Sequence, residues 1–218
     1  MNLLRKIISG GELHISRLHD EKGQIAPLSD LRYVPRNVGY VFGRKVFGRF
    51  PEMPWFTFTA IGRIEQIIQP TWNMIEFGSG MSTRWFAERV ATIHSIESNP
   101  TWYARVAPTL PVNARYELRA RETYANIDEY QDGYFDFAVV DGEVRANCMR
   151  SVLPKIKPGG YVYFDNSDKD MTIPDGDCRI AEQLLMAACK ARNGRAEHIH
   201  GLTVGALSAH EGILANLN

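Results

Sequence analysis

The 218-residue chain predicts an α/β fold: a doubly wound, mostly parallel sheet behind an N-terminal extension. Three observations predict it. From residue 54 onward, short apolar runs alternate with helix-period segments, the pattern of parallel βαβ units. A glycine turn, Gly78-Ser79-Gly80, stands between the first apolar run and the helical segment after it. The last two strand-like runs have only Gly201 between them, a spacing that pairs strands antiparallel.

The elements follow in order. Residues 1–50 are weakly periodic, broken by Pro27 and Pro35, and punctuated by Tyr33, Tyr40, Phe42, Phe47 and Phe50. One helix is expected near the start of this segment, and irregular chain for the rest. Residues 55–69 place Phe56, Ile61, Ile64, Ile67 and Ile68 at helical spacing before Pro70. Strands are expected at 73–77, 92–96, 114–118, 135–140 and 161–164, with helices at 82–90, 100–110 and 145–156 between them. Pro158-Gly159-Gly160 marks a turn before the fifth strand. A helix at 178–192 carries Ile180, Leu184, Leu185 and Ala188 on one side, and strands at 196–200 and 202–207 close the chain.

Composition limits the function. Twenty-five Lys and Arg balance 25 Asp and Glu, so the net charge is zero. That speaks against a nucleic acid as the main partner, since such binding rests on a basic surface that neutralises phosphates. A 44% hydrophobic and 23% charged composition excludes a wholly disordered chain. No apolar run approaches the roughly 20 residues of a membrane span, and the first 20 residues lack the apolar stretch of a signal peptide. Cys148, Cys178 and Cys189 are odd in number and lack metal-type spacing, which reads as reduced thiols in a cytoplasmic protein. Residues 1–50 hold nine basic and four acidic side chains, a balance of +5 that the remainder offsets. This asymmetry divides the chain into a basic extension, 1–50, and a main domain, 51–218. The extension is either an arm packed on the domain or a lid over an anionic substrate.

Chemistry concentrates at strand ends. Gly78 and Gly80 permit tight backbone and close approach of a ligand, while Ser82 and Thr83 can cap the helix that follows. Glu76, two residues before the first glycine, suits a ligand ammonium group. Glu97, at the end of the second strand, can accept hydrogen bonds from both hydroxyls of a ribose. A dinucleotide fingerprint would carry a third glycine where this chain has Thr83. Each acid taken alone also reads as a solvated strand-end carboxylate.

The stretch Glu76-Phe77-Gly78-Ser79-Gly80, with Ser82-Thr83 and Trp85-Phe86, resembles the first motif of class I S-adenosylmethionine-dependent methyltransferases. Ile96-Glu97 resembles their ribose-binding motif, residues 136–142 their fourth-strand motif, and Pro158-Gly159-Gly160-Tyr161 the turn before their fifth strand. The likeness spans about residues 54–208. It implies a Rossmann-like, seven-stranded sheet of order 3-2-1-4-5-7-6 with strand 7 antiparallel. It implies S-adenosylmethionine as cofactor, held by Glu76 at the amino group, by Gly78, Ser79, Gly80, Ser82 and Thr83 along the turn, by Glu97 at the ribose, and by Asp141. Residues 122–124 would border the adenine.

In that fold strands four and five are neighbours, so Asp141 and Asp165-Asn166 would lie side by side. The arrangement resembles the metal triad of catechol-type O-methyltransferases, and hard oxygen ligands of this kind suit Mg²⁺. The resemblance thus implies Asp141, Asp165 and Asn166 as metal ligands and catalytic residues, with the metal orienting a hydroxyl for attack on the methyl group. A second reading makes Asp141-Gly142 and Asp165-Asn166 ordinary turns, with Asp141 lining the cofactor pocket. One departure stands out: catechol-type enzymes carry a Lys three residues after the first Asp, where this chain has Val144, followed by Arg145, which cannot take up a proton. Arg145 would hold an anionic substrate group or lie on the surface.

His198 and His200 share a strand face, as bases or as ordinary polar residues. The loop 166–177 is long and polar, and Trp55, Phe56 and Phe58 read as core-facing. The expected activity is methyl transfer to a hydroxyl of a small molecule, sugar or glycan. Similar bacterial methyltransferases among surface-polysaccharide genes suggest the glycan. The alternatives are a metal-independent N- or carboxyl-methyltransferase, or a protein that binds the cofactor without catalysis.

Overall fold

The computed structural model describes residues 15–218. The helix expected near the start falls largely outside them. Within the extension the chain forms a 3₁₀ turn at Leu28–Tyr33 and helix α1 at Val34–Phe47, started by Pro35 in its first turn and stopped by Gly48 in the left-handed region. Seven strands follow: β1 (Asn73–Phe77), β2 (Thr92–Glu97), β3 (Ala114–Leu118), β4 (Phe135–Val140), β5 (Ile156–Phe164), β6 (Arg195–Leu202) and β7 (Ala209–Leu217). The helices of the main domain are α2 (Phe58–Ile67), α3 (Met81–Ala87), α4 (Pro100–Val106), α5 (Arg145–Val152) and α6 (Asp177–Ala191).

The strands form one sheet in the order β3-β2-β1-β4-β5-β7-β6, with β7 antiparallel to both neighbours. Cys148, Met149 and Val152 of α5 and Ala181, Leu185 and Cys189 of α6 pack on one face. Ile61 and Ile64 of α2 and Phe86 of α3 pack on the other, joined by Leu18, Tyr33 and Val34 of the extension. Near-continuous apolar strands such as β4 are what a sheet covered on both faces requires. All three cysteines are free and buried. Among the described residues, no helix is long and apolar enough to cross a membrane.

Several expected elements are corrected. Gly201 is not a turn but lies inside β6, where its missing side chain makes room for Asp30, whose carboxylate accepts from Leu202 N at 3.0 Å. The reversal comes at residues 203–208 instead, and the second closing strand runs over Ala209–Leu217. Pro158-Gly159-Gly160 lies within β5 as an irregularity: Phe135 pairs with Ile156, but Phe137 already pairs with Tyr161. The extended helices expected at 100–110 and 145–156 end early, each running into a 3₁₀ turn at a proline.

The extension is bonded to the domain through buried polar groups. Asn37 donates to Thr203 O at 2.9 Å and accepts from Gly205 N at 3.0 Å. Lys22 Nζ reaches Glu211 Oε1 at 2.6 Å and Glu182 at 3.1 Å. Burial pushes the Glu211 pKa up, yet hydrogen bonds from His198, Lys22 and Ser167 outweigh it and hold the group at about 2. The stability it confers is therefore complete above the ordinary pKa of 4.5 and is lost as pH falls toward 2. Glu211→Gln removes the closer of the two carboxylates that hold Lys22 and is expected to cost about 3 kcal/mol at neutral pH. Urea denaturation at pH 7 and pH 3 tests this, since the loss must shrink at the lower pH.

Candidate active site

The register brings the strand ends level. Phe77 lies opposite Ile96 on one side and Val140 on the other, and Val140 lies opposite Phe164. The ladder runs on past the strands: Gly78 N donates to Ile96 O at 3.0 Å, Asp141 N to Phe77 O at 2.9 Å and Asp165 N to Val140 O at 3.1 Å. Glu76, Gly78, Glu97, Asp141 and Asp165 thus gather at the carboxyl edge, where open α/β sheets bind ligands.

The turn after β1 is tight. Gly78 has φ +92°, and a Cβ there would stand 2.8 Å from Gly142 N, so the β1 and β4 turns pack backbone to backbone. Trp102, on α4, donates its indole N–H to Ser79 O at 2.7 Å and holds the turn from outside. Gly142 is equally constrained: a Cβ would overlap the hydroxyl of Tyr124 and lie 2.8 Å from its ring carbon. Tyr124 is fully buried and bonded to Ile96 O at 3.2 Å, so it cannot move aside. Gly142→Ala is expected to lose about 3 kcal/mol by overpacking. Thermal unfolding measures it, and partial recovery in Gly142→Ala combined with Tyr124→Phe, which removes the closest of the clashing atoms, shows that the clash contributes.

Glu76 is wholly buried in β1. Its Oε2 accepts from Thr83 Oγ1 at 2.6 Å and from Ser95 Oγ at 2.7 Å, the second across the β1–β2 register. Oε1 has no hydrogen-bond partner. Burial raises the pKa to about 7, against hydrogen bonding from Ser82, Thr83 and Ser95, and the Asp141 charge adds to the rise. A buried acceptor left bare is costly, and a ligand ammonium would satisfy it. Thr83, expected to touch the cofactor, does not face the cleft. It is fully buried, and its hydroxyl accepts from Gly80 N at 3.1 Å while donating to Glu76, which it orients. Ser95 went unnoticed in the sequence because its role depends on a neighbouring strand.

Glu97 ends β2 with its carboxylate fixed. Oε1 accepts from Ser98 N at 2.9 Å and Asn99 N at 2.8 Å, and Oε2 from Ser79 N at 3.1 Å and from the Ser79 hydroxyl. A ribose hydroxyl would exchange with the Ser79 hydroxyl at Oε2. A cavity of about 420 Å³ opens here, lined by Gly78, Glu97, Asn99, Trp102, Tyr124 and Gly142. It is of nucleoside size. Of residues 122–124, Tyr124 lines it and Glu122 is exposed. A second cavity, about 110 Å³, is lined by Trp55, Ser79, Gly80, Ser82, Trp102 and Asp141. Asp141 and Trp102 wall both.

Trp55 is partly buried and packs against the same core as the buried Phe56 and Phe58, and it also lines the smaller cavity. It stacks on Phe50 with centroids 5.6 Å apart and meets Trp102 at 6.0 Å. Arg105 lies 4.6 Å over the Phe50 ring and Arg44 5.7 Å over Trp55. The extension thus packs, through Phe50 and Arg44, against the tryptophans that line the smaller cavity.

The acidic ends of β4 and β5 do not form an open cation site. Arg145 Nη2 lies 3.1 Å from Asp141 Oδ1 and 3.2 Å from Asn166 Oδ1. Asp165 Oδ1 accepts from Tyr163 OH at 2.9 Å. Burial raises the Asp141 pKa against the Arg145 charge, and burial with the Asp141 charge raises that of Asp165 further. A set whose central position holds a guanidinium, with one carboxylate favouring its protonated form, does not fit the octahedral oxygen shell of Mg²⁺. Arg145 is neither a surface residue nor a substrate anchor, because its side chain is 13% exposed and bonded throughout to protein. The polar loop caps helices: Asp177 accepts from Ala146 N at 3.0 Å and Asp170 from Cys178 N at 2.9 Å. His198 sits on Glu211 at 3.1 Å, and neither it nor His200 lines the two cavities.

Residues 75–167 match the family model of a methyltransferase domain. The O-methyltransferase from Bacillus cereus, solved with SAH, is similar over 87% of this chain and 97% of its own, at 15% identity and TM-score 0.62. The O-methyltransferase TomG from Streptomyces achromogenes, involved in tomaymycin synthesis and solved with SAM, covers 87% and 96% at 17% identity and TM-score 0.61. An rRNA methylase from Streptococcus thermophilus covers 73% and 94% at 12% identity and TM-score 0.53. At these identities the likeness is one of fold. No curated protein matches the sequence. The matched stretch spans the glycine turn and both acidic strand ends, and the sheet has the order its motifs imply, so residues 75–167 are similar to a methyltransferase domain.

Proposed function

We propose that the chain methylates a hydroxyl of a small molecule or sugar, with Asp141 as the proton acceptor. The observation that carries the cofactor half is the bare Oε1 of buried Glu76 beside a turn that walls a nucleoside-sized cavity. S-adenosylmethionine, when bound, supplies an electrophilic methyl group on a sulfonium. Glu76 would hold its ammonium and Glu97 its ribose, and the Gly78–Gly80 turn would let it approach closely. Ser79, Gly80 and Ser82 wall the smaller cavity with Asp141, which supports seating the methionine half there.

Asp141 is the acid best placed for the acceptor. Its side chain is 34% exposed, and it walls both cavities. The bound cofactor would supply the methyl group to the acceptor oxygen, and the Asp141 carboxylate would take the hydroxyl proton. Burial, which raises the pKa of this group, also makes it a better base. Trp55 and Trp102, backed by Phe50, form an aromatic wall that keeps water from the transfer and offers a stacking face to a ring or sugar. Zero net charge favours such an acceptor over a nucleic acid.

The test is a thermal-shift screen with S-adenosylmethionine, S-adenosylhomocysteine and NAD, followed by transfer of a labelled methyl group to a panel of hydroxylated, amine, carboxyl and RNA acceptors. Stabilisation by the first two and labelling of a hydroxyl acceptor are expected. Stabilisation by NAD alone would overturn the cofactor assignment, and labelling confined to amines, carboxylates or RNA would overturn the acceptor.

A further inference from the structure

Arg145 is the first residue of α5, and its guanidinium turns back across the ends of β4 and β5. Nε donates to Gly142 O at 2.9 Å. Nη1 donates to Asp165 O at 2.7 Å, with Cys178 Sγ at 3.9 Å. Nη2 faces Asp141 O at 3.0 Å, Asp141 Oδ1 at 3.1 Å and Asn166 Oδ1 at 3.2 Å. Five N–H groups thus meet six acceptors, and none is left for a substrate. Three of the acceptors are backbone carbonyls, from residues 141, 142 and 165. The side-chain oxygens are those of Asp141 and Asn166, two of the three residues a divalent ion would require.

The rest of the site is built around this group. Arg145 N is itself bonded, at 2.6 Å, to Asp177 Oδ2, so the start of α5 is anchored to the far end of the loop that follows β5. Asn166 has φ +53°, a left-handed conformation that costs a non-glycine residue energy and aims its amide oxygen at Nη2. Such strain persists only where the surroundings require it. A metal in the same place would lie against a positive guanidinium, and its ligands would have to abandon Arg145, leaving that charge buried without its carboxylate.

We infer that the Arg145 guanidinium is a built-in cation seated between Asp141 and Asn166, which closes this end of the cleft to divalent metal and holds Asp141 in place for a metal-independent transfer. Arg145 is a positioning residue: it touches neither cofactor nor acceptor and acts through Asp141. The inference rests on the cleft assignment above for its meaning in catalysis, but its cation chemistry is read without any acceptor.

The experiment is Mn²⁺ binding to the full chain, followed by electron paramagnetic resonance and calorimetry, with and without S-adenosylhomocysteine. The wild type is expected to leave the signal of free Mn²⁺ unchanged at one equivalent. Arg145→Ala, which empties the seat while leaving Asp141, Asp165 and Asn166, is expected to bind one Mn²⁺ at least about tenfold more tightly than the wild type. Adding Asp141→Asn should abolish that gain. A merely structural arginine would destabilise the chain on removal without creating a metal site. Stoichiometric Mn²⁺ binding by the wild type, lost in Asp141→Asn, would overturn the inference, as would an Arg145→Ala chain that folds and gains no metal. If Arg145→Ala does not fold, Arg145→Gln keeps the stem and is read in its place, and the wild-type measurement decides independently. A wild type that binds neither S-adenosylhomocysteine nor Mn²⁺ would sink the proposed function and leave the closed cation seat standing.

Discussion

Glu76→Gln is expected to weaken S-adenosylhomocysteine binding by about 100-fold, the loss of a charge-assisted hydrogen bond to an ammonium inside a water-excluded site. The pH dependence makes the expectation specific. In the free chain Glu76 titrates at about 7, because burial disfavours its charge. A ligand ammonium favours the carboxylate, so binding must expel the proton. Affinity in the wild type should rise with pH up to about 7 and level above it, with a slope below of up to about tenfold per pH unit. Calorimetry near pH 6 in buffers of different ionisation heat should register this proton release, and Glu76→Gln should abolish it. Folding stability moves the other way. The folded pKa is raised from 4.5 to about 7, so the folded chain holds a proton that the unfolded chain has released, and the stability this gives is lost as pH rises through that window. The whole effect is about 3 kcal/mol. Glu76→Gln is therefore expected to be more stable than the wild type at pH 8 while binding worse, which separates a lost contact from a damaged fold. Wild-type affinity in the variant, or a flat profile between about pH 6 and 8, would remove Glu76 from the cofactor site.

Asp141→Asn is expected to lower turnover by a factor of about 10² to 10⁴, the range for loss of a positioned proton acceptor. The amide keeps the shape and the hydrogen bond from Arg145 but cannot take up the proton. Arg145 retains the carbonyls of Asp141, Gly142 and Asp165, so the strand ends should stay joined. Affinity for S-adenosylhomocysteine should change by no more than about threefold, because Glu76 and Glu97 carry that binding. Labelled methyl transfer under single-turnover conditions measures the first number and calorimetry the second. Unimpaired transfer would show that the acceptor arrives already deprotonated or gives its proton elsewhere.

The alternating elements between residues 73 and 164 were legible because each is coded locally. Asn73–Phe77, Ala114–Leu118 and Phe135–Val140 have the bounds their apolar runs predict. The ends of the chain were less so. Gly201 reads as a turn until Asp30, 171 positions earlier, is placed against it. Ala209–Leu217 shows its strand character through its pairing with β6 and β5, not through its own alternation. At the site, Glu76 and Glu97 could be found from the acids flanking a glycine turn. Thr83 was assigned to the ligand because a capping residue and a carboxylate orienter look alike in sequence. Trp55 reads as core-facing within the expected helix 55–69, and it does pack on the core; that it also lines a cavity depends on Trp102 from a distant helix.

Local order was written in the residues: which segments become strands, where the backbone must turn tightly, and which strand ends carry acids. These depend on periodicity and conformational preference within a few neighbours. The partner of each acid was not, because Thr83 and Ser95 meet at Glu76, and Arg145 joins positions 141, 142, 165 and 166, only once β1, β2, β4 and β5 lie side by side. Whether a carboxylate receives a metal, a proton or a guanidinium turns on distances of about 3 Å between residues far apart in the chain, and packing of the whole sheet sets those distances.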